Sequence, residues 1–524
     1  MTWPNLDANH LIVSSSQMKG IEEKLFSYGM PVEALMEKVG LEMKKWFIEN
    51  PRLLENGVVV LVGPGHNGGD GLVLARELHL LGVEVFLWCP FVNKKSLTVR
   101  QLSYCYSIGI KELQSPPDPA GNFLWIDALF GLGQNRPLPQ EIGFLLQSRE
   151  RVKPGKLISL DVPAGICSDT GKSFDAGVAT ALFTLTVGLI KSGLIQDIAL
   201  RYVGTLVRVD IGIPEIAFEL LPASVPLRIY SKDIDSFLLP RTLPNATKYL
   251  RGRVAVIAGS DQFKGASLLA LQGVIASGVG SVQAVLPKDI VKSIFAQVPE
   301  VVFYNYSNDS NEQSIFIHNC LKEINLDRID SLLIGPGLGG ADEQWSDFSP
   351  MLEDFIGLLV LDADALNRLA LSQEGWKWLP RRKGPTWITP HLNEFRRLFP
   401  DIAISSPLEA AVLAARISGA GILLKGANSV IATPNGLAWQ LVDTSPYVAR
   451  TGLGDVLAGF TAGFGALGVC SEGKLDFDLF AFAVLLHSHA AKNCNEGTNA
   501  SSISRFLGKL VKTIQMQNVQ ADTL

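Results

Sequence analysis

The sequence predicts an α/β protein with two domains, each built around a parallel sheet. Its 524 residues are enough for two large domains, since a domain averages about 150 residues. Short apolar runs alternate with helical patterns, which is the β-α-β rhythm of a parallel sheet. This rhythm stops in a proline-rich segment and then restarts, which indicates that the sheet architecture occurs twice.

The composition indicates a folded protein that does not bind nucleic acid. Lys and Arg number 46 against 51 Asp and Glu, a net charge of −5, and no basic block is present to neutralise phosphates. Hydrophobic residues make up 47% of the chain and charged residues 19%, below the average of about 25% for soluble domains. The chain can therefore bury sizeable cores, and disorder is disfavoured.

The chain shows no targeting or metal-binding signal. No apolar run reaches the roughly 18 residues of a membrane span, and the start MTWPNLDANH lacks the pattern of a signal peptide. The six cysteines are far apart and form no C-x-x-C pair, so neither a zinc site nor a disulfide framework is predicted. We expect a cytoplasmic protein without a membrane partner.

The elements of the first half begin with two helices. Ser14 and Gln17 have the spacing of a capping box, and Pro31 opens a second helix. Apolar residues recur along that helix at helical spacing, which predicts a core face: Leu35, Met36, Val39, Met43 and Phe47. The predicted strands that follow lie in GVVVLVGPG, VEVFLWCP, FLWID, KLISLD, FTLTVG and VRVDIGIP.

The segment from Pro214 to Pro244 is rich in proline and has no sustained periodicity, which is typical of an interdomain connection. We place the boundary there and predict domains at residues 1–225 and 226–524. Beyond it a helix is predicted from about Ala266. The predicted strands lie in RVAVIAGS, SVQAVLP, SLLIGPGLGG, LLVLDADAL, TWITPH, GILLKG and SVIATPNG.

A glycine-rich turn from Gly63 to Gly71 follows a predicted strand and opens a helix. Its first residues match G-x-G-x-x-G, the dinucleotide-binding pattern. The acidic residue that such enzymes carry after the second strand is missing, because Cys89 to Lys95 contain none. The amides of the turn could still hold phosphate at a helix N-terminus, with Asn67 and Asp70 as polar neighbours. A tight turn without a ligand is the alternative.

Two further predicted strands end in carboxylates, Asp127 and Asp161. Ligands of open parallel sheets bind at the carboxyl ends of the strands, so these side chains and the glycine-rich turn indicate one crevice. A turn or helix-capping role is the alternative for each aspartate.

The first half resembles the epimerase domain of the bifunctional NAD(P)H-hydrate repair enzymes in GPGHNGGDGLVLAREL, DALFGLG, DVPAG, SDTGK and DIGIP, which occur in the same order. The resemblance implies K⁺ ligands at Asn67, Asp127 and the position of Ala164, where the family usually has Ser. It implies that Asp161 binds substrate and is the catalytic acid/base candidate. The remaining implied substrate contacts are His66, Asn67, Gly68, Gly69, Asp70, Gly131, Leu132, Gly133, Gln134, Asn135, Arg136 and Pro137.

In the second half, Gly452-Leu453-Gly454-Asp455 precedes a helical pattern rich in small residues. Glycine amides and the helix dipole would converge there on an anion, and Asp455 would lie near a transferring phosphate. A carboxylate in that place is an expected base for deprotonating a hydroxyl. A simple capping role for Asp455 is the alternative.

Three other segments follow predicted strands. Lys425 to Ser429, in KGANS, offers a lysine and backbone amides that suit nucleotide phosphates. GPGLG, from Gly335 to Gly339, and TPH, which ends at His391, complete the set. Alone, His391 is better explained as a loop histidine that has its hydrogen bonds satisfied.

Together with GRVAVIAGS, LDADAL and GLGDVLAG, these motifs resemble the ribokinase-like dehydratase domain of the same repair enzymes. The resemblance implies substrate contacts at Ala266, Gly337, His391 and Asp455. It implies adenine-nucleotide contacts at Lys425, Gly426, Ala427, Asn428, Ser429 and Gly454. The fold class is then a Rossmann-like parallel-sheet domain followed by a ribokinase-like α/β domain.

The resemblance implies a repair enzyme for NADHX and NADPHX, the hydrates of the reduced nicotinamide nucleotides. The N-terminal domain would interconvert the R and S epimers, with K⁺ as its ion. The C-terminal domain would phosphorylate the S epimer with Asp455 as base, and elimination would restore NAD(P)H. We expect ADP as donor, with ATP possible, Mg²⁺ accompanying the nucleotide, and a homo-oligomer.

Other functions remain open at this point. One is a ribokinase-like small-molecule kinase with a regulatory N-terminal domain. Another is a nucleotide-binding protein that has lost epimerase activity, which Ala164 makes plausible. An NAD-dependent dehydrogenase is disfavoured by the missing strand-end carboxylate.

Overall fold

The computed structural model describes residues 3–175, 177–240, 242, 245–306, 317–340, 343–472, 475–494 and 499–521. The chain divides into two compact units. The N-terminal unit is Leu6–Pro226, and the C-terminal unit is Leu227–Leu524 together with Met1–Asn5. The sequence-based boundary, between 225 and 226, is one residue away from this division, but it did not foresee that the first residues join the later unit. Trp3 explains that placement, because its ring contacts Phe237 and Phe482 edge-on within the C-terminal core.

The N-terminal unit alternates strands and helices. Its strands are β1 (Ile12–Val13), β2 (Val58–Val62), β3 (Val85–Trp88), β4 (Lys111–Glu112), β5 (Leu124–Ala128), β6 (Leu157–Leu160), β7 (Phe183–Val187), β8 (Ile190–Lys191) and β9 (Thr205–Val209). Its α-helices are α1 (Ser15–Ser27), α2 (Val32–Glu49), α3 (His66–Leu80), α4 (Ser96–Ser107), α5 (Gln140–Val152) and α6 (Leu200–Val203), with 3₁₀ turns at Pro51–Leu54, Ser192–Ile195 and Glu215–Leu220.

The main sheet of this unit has the strand order β4-β3-β2-β5-β6-β7-β9, and every neighbouring pair is parallel. The order reverses between β2 and β5, so a crevice opens at the carboxyl ends of these strands. Leu61 pairs with Asp127, and Asp127 pairs with Ser159. The glycine-rich turn and the two strand-end aspartates therefore lie at the same edge of one sheet, as the sequence predicted.

The predicted helical features of the first half are confirmed. Ser14 and Gln17 form a reciprocal capping box at the start of α1. The predicted core face of α2 is buried along its whole length.

The C-terminal unit repeats the alternation of strands and helices. Its strands are β10 (Leu227–Ile229), β11 (Arg253–Ile257), β12 (Ser281–Pro287), β13 (Val302–Tyr306), β14 (Ser331–Ile334), β15 (Leu358–Leu361), β16 (Thr386–Ile388), β17 (Gly421–Leu424), β18 (Val430–Ala432) and β19 (Ala438–Leu441). Its α-helices are α7 (Lys264–Ala276), α8 (Lys288–Ile294), α9 (Ile317–Glu323), α10 (Ser349–Asp354), α11 (Asp364–Leu371), α12 (Leu392–Leu398), α13 (Pro407–Ser418), α14 (Leu453–Glu472), α15 (Asp478–Asn493) and α16 (Ala500–Ala521). Its 3₁₀ turns are Ser231–Ser236, Lys248–Arg251, Phe295–Gln297, Leu326–Arg328, Trp345–Asp347, Gly375–Arg381 and Pro446–Val448.

These strands form one sheet in the order β10-β19-β18-β17-β16-β15-β14-β11-β12-β13. The pairs β17/β18 and β18/β19 are antiparallel, and the other neighbours are parallel. The strand order reverses between β11 and β14, and this again places a crevice at the carboxyl ends.

Helix α14 lies at the centre of the C-terminal core. Gly273 of α7 and Gly459 of α14 allow the two helices to approach closely, because a Cβ on Gly459 would lie 1.9 Å from the carbonyl oxygen of Ala270. In the described residues, Leu453–Ser471 is the one segment long and apolar enough to cross a membrane. The sequence does not single out this helix, because glycines and Asp455 interrupt its apolar residues. In the structure it is a core helix, largely buried.

The segment between Pro214 and Pro244 is more ordered than predicted. It contains the 3₁₀ turns Glu215–Leu220 and Ser231–Ser236, and β10 between them pairs with β19. A three-residue strand leaves no periodicity to read, and its partner lies far away in the sequence. Residues 241, 243 and 244 lie outside the described part of the chain.

Candidate active sites

The glycine-rich turn of the N-terminal unit is shaped by close backbone contacts. A Cβ on Gly63 would lie 1.7 Å from the carbonyl oxygen of Leu129, and one on Gly68 would lie 2.1 Å from the carbonyl oxygen of Gly63. Gly65, the N-cap of α3, has open space where its Cβ would be and no capping side chain. Gly63 and Gly68 are therefore required by the fold, while the helix N-terminus at Gly65 is open to a ligand.

Asn67, in the first turn of α3, points an oxygen into this crevice. Its amide nitrogen donates to the carbonyl oxygen of Leu160 at 3.3 Å. The amide oxygen is buried and has no partner among the described residues. An unpaired buried oxygen is costly, so this atom is suited to accept from a ligand or to contact a cation.

Asp161 lies where β6 ends and has a left-handed backbone, with φ +64°. Such a conformation is rare outside glycine and clusters at functional sites. Its Oδ2 accepts from the amide of Leu132 at 3.2 Å, and its Oδ1 accepts from the amide of Val187 at 3.2 Å. Gly131 is required beside it, because a Cβ there would lie 2.7 Å from Asp161 Oδ2.

Lys191 was missed by the sequence interpretation. Its Nζ donates to Asp161 Oδ1 at 2.6 Å and to Thr186 Oγ1 at 3.0 Å, and the side chain is fully buried. It comes from β8, which is too short to show a pattern and pairs with β1. A lysine buried against a strand-end aspartate is a signal that only the fold reveals.

Two more carboxyls belong to the same cluster. Burial, with Asp161 nearby, raises the pKa of Glu22 to about 7. Burial, followed by the charges of Asp161 and Glu22, also raises the pKa of Asp70 well above its usual range. Three carboxyl groups therefore influence one another here, the Lys191 ammonium is hydrogen-bonded to Asp161, and burial favours the protonated forms of Glu22 and Asp70.

Asp127 is fully buried in the floor of the crevice. Burial raises its pKa to about 6, against hydrogen bonds from Ala164, Leu129 and Ser159 that favour the carboxylate. Ala164 offers no side-chain oxygen, and its methyl lies in an apolar cluster. Its carbonyl already accepts from the amide of Ala179 at 2.8 Å. As a potassium ligand, the unpaired amide oxygen of Asn67 fits best, and the Asp127 carboxylate could add negative charge. Ala164 fits poorly, because it has no side-chain oxygen and its carbonyl is already hydrogen-bonded.

The loop from Gly131 to Pro137 borders the crevice. Gln134 ties it to the segment after β6, because its Oε1 accepts from the amide of Gly165 at 2.8 Å. Asn135, Arg136 and Gly133 are exposed. His66, also exposed, has a pKa lowered by partial burial and by the charge of Lys95.

In the C-terminal unit, the structure brings Ala266 and Gly337 together. A Cβ on Gly337 would lie 2.7 Å from the Cβ of Ala266, and Gly337 has φ +65°. Ala266 lies in the first turn of α7, after β11, and Gly337 follows β14. The two predicted contacts therefore flank the point where the strand order reverses.

Asp362, after β15, belongs to the motif LDADAL, but the sequence does not single it out as a site residue. Its buried Oδ1 accepts from Thr389 Oγ1 at 2.6 Å and from Lys425 Nζ at 2.8 Å. Burial lowers the pKa of Lys425, but nearby carboxylates, chiefly Asp362, raise it by more, so the net shift is upward. Lys425 was predicted to contact nucleotide phosphate, and its ammonium is held on Asp362 in the structure.

Asp455 lies in the first turn of α14. Burial, with the charge of Asp362, raises its pKa to about 7, while Lys425 acts in the opposite direction. The Lys425 ammonium is 3.8 Å from where a Cβ on Gly454 would lie. A carboxyl that titrates near neutral pH at an open helix N-terminus can serve as a general base beside an anion.

His391 caps α12. Its Nδ1 accepts from the amides of Asn393 and Glu394, and its Nε2 lies 3.2 Å from Glu394 Oε1. A backbone bridge joins His391 to Lys425, so the histidine and the lysine follow neighbouring strands. The ring is half-exposed, so one edge remains accessible to a ligand.

The loop from Lys425 to Ser429 closes on itself. Ser429 Oγ accepts from the amide of Gly426 at 3.2 Å and donates to its carbonyl oxygen at 3.1 Å. Thr444 Oγ1 donates to Asn428 Oδ1 at 3.4 Å. The turn therefore has a fixed shape, and Gly426 and Ala427 form its exposed tip.

Comparison with known proteins assigns each half. Residues 32–193 match the family model described as YjeF-related protein N-terminus, and residues 254–514 match the model described as NAD(P)H-hydrate dehydratase. Among solved structures, the ADP/ATP-dependent NAD(P)H-hydrate dehydratase from Bacillus subtilis, co-crystallised with ATP and Mg²⁺, is 24% identical with a TM-score of 0.45. That match covers 56% of this chain and 100% of the other.

Full-length relatives cover both units. The bifunctional NAD(P)H-hydrate repair enzyme Nnr of Synechocystis is 38% identical over 86% of this chain and 85% of its own length. The enzyme of the same name from Gloeobacter violaceus is 38% identical over 86% and 87%. That from Thermofilum pendens is 30% identical over 93% of both chains. The chain, with its Rossmann-like and ribokinase-like halves, therefore belongs to the family of bifunctional NAD(P)H-hydrate repair enzymes.

Proposed function

We propose that this chain repairs hydrated NADH and NADPH by two successive reactions. The N-terminal unit interconverts the R and S epimers of NADHX and NADPHX. The C-terminal unit uses ADP to dehydrate the S epimer to NAD(P)H. The observation that carries the proposal is that each sheet has, at the carboxyl ends of its strands, an aspartate that accepts a hydrogen bond from a lysine, in a chain that belongs to this family.

For epimerisation, Asp161 is the base that accepts the hydroxyl proton of the hydrate. The hydrated carbon carries both this hydroxyl and the ring nitrogen. Lys191 keeps the Asp161 carboxylate in place, and the amides of Leu132 and Val187 fix its orientation. The open N-terminus of α3 at Gly65 is suited to the phosphates of the nucleotide.

For dehydration, Asp455 removes the proton of the substrate hydroxyl as the oxygen attacks the terminal phosphate of the donor. The phosphorylated hydrate then loses phosphate from one carbon and a proton from the neighbouring carbon to solvent, which restores the double bond, so a poor leaving group has been exchanged for a good one. The amides at the start of α14 stabilise the negative charge that develops on the phosphoryl group. Lys425 balances the charges of Asp362 and Asp455.

Two ions accompany the proposal. A potassium ion would be held by Asn67 Oδ1 and the Asp127 carboxylate, and it would supply positive charge toward bound substrate. Mg²⁺ would enter with the nucleotide, whose phosphates it prefers as ligands. ATP as an alternative donor, a homo-oligomeric state and a cytoplasmic location are further parts of the proposal.

The test uses the purified full chain with a mixture of R and S NADHX. Recovery of the reduced nicotinamide absorbance is followed with ADP, with ATP and without nucleotide. We expect complete recovery with ADP, since epimerisation feeds the R form to the dehydratase. Recovery only of the S fraction would remove the epimerase half of the proposal. No recovery with either nucleotide would favour a kinase that acts on another small molecule.

A further inference from the structure

Glu22 lies on the face of α1 that is anchored to the segments around the Asp161–Lys191 pair, although neither its sequence pattern nor the family match over residues 32–193 singles it out. We infer that Glu22 is a second catalytic residue of the epimerase site, which gives a proton to the substrate while Asp161 takes one. The inference rests on the proposed epimerase function and deepens it.

Helix α1 is anchored to the two segments that carry the pair. Ser15 donates to Asp169 from its amide at 2.5 Å and from its hydroxyl at 2.7 Å, and Asp169 belongs to the segment that follows Asp161. Met18 packs on Gly188, where a Cβ would lie 2.5 Å from Met18 Cε. Gly188 lies between β7 and β8, three residues before Lys191. Helix α1 is thus held against the segment after Asp161 and against the segment before Lys191.

The helical repeat then determines which side chains of α1 point toward the pair. Ser15, Met18 and Glu22 are spaced by three and four residues, so they share one helix face. Because Ser15 and Met18 both contact the segments around Asp161 and Lys191, the next residue on that face is directed to the same place. Glu23, one position further, is exposed and pairs with Lys19.

The charges around Glu22 determine which carboxyl holds a proton. The charge of Asp161 at the end of β6 raises the pKa of Glu22, and that of Lys191 from β8 lowers it. Glu22 in turn raises the pKa of Asp70 in α3, and Glu23 is the charged neighbour on its own helix. Only Asp161 accepts a hydrogen bond from the lysine, so the negative charge settles there. Glu22, with its pKa raised to about 7, is left as the proton carrier. Carboxyls with divergent environments are the usual acid/base pair of an active site.

The chemistry needs both groups. The hydroxyl proton moves to the Asp161 carboxylate as the C–O bond becomes C=O and the bond from that carbon to the ring nitrogen breaks. The electron pair of this bond stays on nitrogen, which takes the proton of Glu22. The opened carbon rotates, nitrogen attacks its other face, and both protons return. The step needs no oxidant or further reactant, and it leaves the enzyme unchanged.

The test compares Glu22→Gln with Glu23→Gln in the full chain. Conversion of pure R hydrate to S is followed by separating the epimers, with the rate in the absence of enzyme subtracted. Glu22→Gln should lower kcat by about 10² to 10⁴-fold, as for other general acids. Its KM should change by less than about threefold, because binding is left intact. Glu23→Gln should behave as the unchanged chain does.

The pH profile separates a proton donor from a structural residue. In the unchanged chain, kcat should fall as pH rises above about 7, where Glu22 loses its proton. This alkaline decline should be absent in Glu22→Gln and present in Glu22→Asp, which keeps a carboxyl and recovers part of the rate. The thermal midpoint of unfolding checks that each variant is folded, because dehydration of S hydrate reports only on the C-terminal unit.

Each result has one meaning. If Glu22→Gln epimerises within about threefold of the unchanged chain, the inference about Glu22 is wrong while the epimerase function stands. A low rate in Glu22→Gln that keeps the alkaline decline also overturns the inference, because another group then gives the proton. If the unchanged chain does not epimerise the hydrate, the proposed function itself fails.

Discussion

The Lys425 ammonium lies 2.8 Å from Asp362 Oδ1 and, at the same time, beside the first turn of the helix that carries Asp455. One partly buried cation therefore influences two carboxylates. Its attraction to Asp362 is direct, and its effect on Asp455 is to oppose the burial that raises the pKa of that group to about 7. The proposed phosphoryl-transfer base would therefore titrate close to neutral pH.

The first prediction concerns the pH dependence of dehydration. A general base acts only when ionised, and the raised pKa of Asp455 is about 7. Measured on S hydrate with ADP, kcat/KM should therefore rise with pH up to about 7 and level off above it. In Lys425→Met the rise should move to higher pH, because the cation that stabilises the carboxylate is gone. A value of kcat/KM that stays constant from about pH 5 to about pH 9 would contradict the assignment of Asp455 as the base.

The second prediction separates catalysis from capping at Asp455. Asp455→Asn keeps the size of the side chain but removes the base, so turnover of the S hydrate should fall by about 10² to 10⁴-fold. ADP affinity, measured by calorimetry, should be unchanged or stronger, because a negative charge beside the phosphates is removed.

Asp478 supplies the matched control for this experiment. It too lies in the first turn of a helix, α15, and burial raises its pKa to about 7. Asp478→Asn should leave turnover unchanged, because Asp478 does not belong to the crevice motifs. If both variants lose turnover equally, or if neither does, Asp455 acts as a helix cap.

The third prediction concerns the ion of the N-terminal unit. If the unpaired oxygen of Asn67 holds potassium, added KCl should raise the thermal midpoint of unfolding relative to equal choline chloride. Asn67→Leu should abolish this difference, and Asn93→Leu, at an exposed position, should keep it. The readout does not depend on turnover. Equal midpoints in both salts for the unchanged chain would show that this oxygen serves another ligand.

The sequence predicts much of the fold because the apolar strand runs are strong local signals. The strands from β2 to β9 that build the main N-terminal sheet were identified, apart from the two-residue β4. Strands β10, β13 and β19 were missed. Leu227 in β10 illustrates why: it pairs with Trp439, more than two hundred residues later, and a three-residue strand carries no pattern of its own.

The sequence predicts candidate site residues in glycine-rich motifs, because glycine there allows a close approach of backbone or side chains. Gly337 beside Ala266 and Gly131 beside Asp161 are examples. Lys191 and Glu22 escaped, since their roles come from packing of distant segments rather than from a local pattern. Lys191 lies in the two-residue strand β8 and Glu22 in the amphipathic helix α1, and neither local sequence indicates a functional role.

The two-site account is tested most directly by Asp161→Asn in the full chain. Asp161 lies in the N-terminal unit and Asp455 in the C-terminal unit, each with its own lysine. With ADP and a mixture of epimers, the account predicts that the unchanged chain restores all of the NADH. The folded Asp161→Asn variant should restore only the S fraction, at the unchanged initial rate. Restoration of both epimers by this variant, or loss of S dehydration as well, would contradict it.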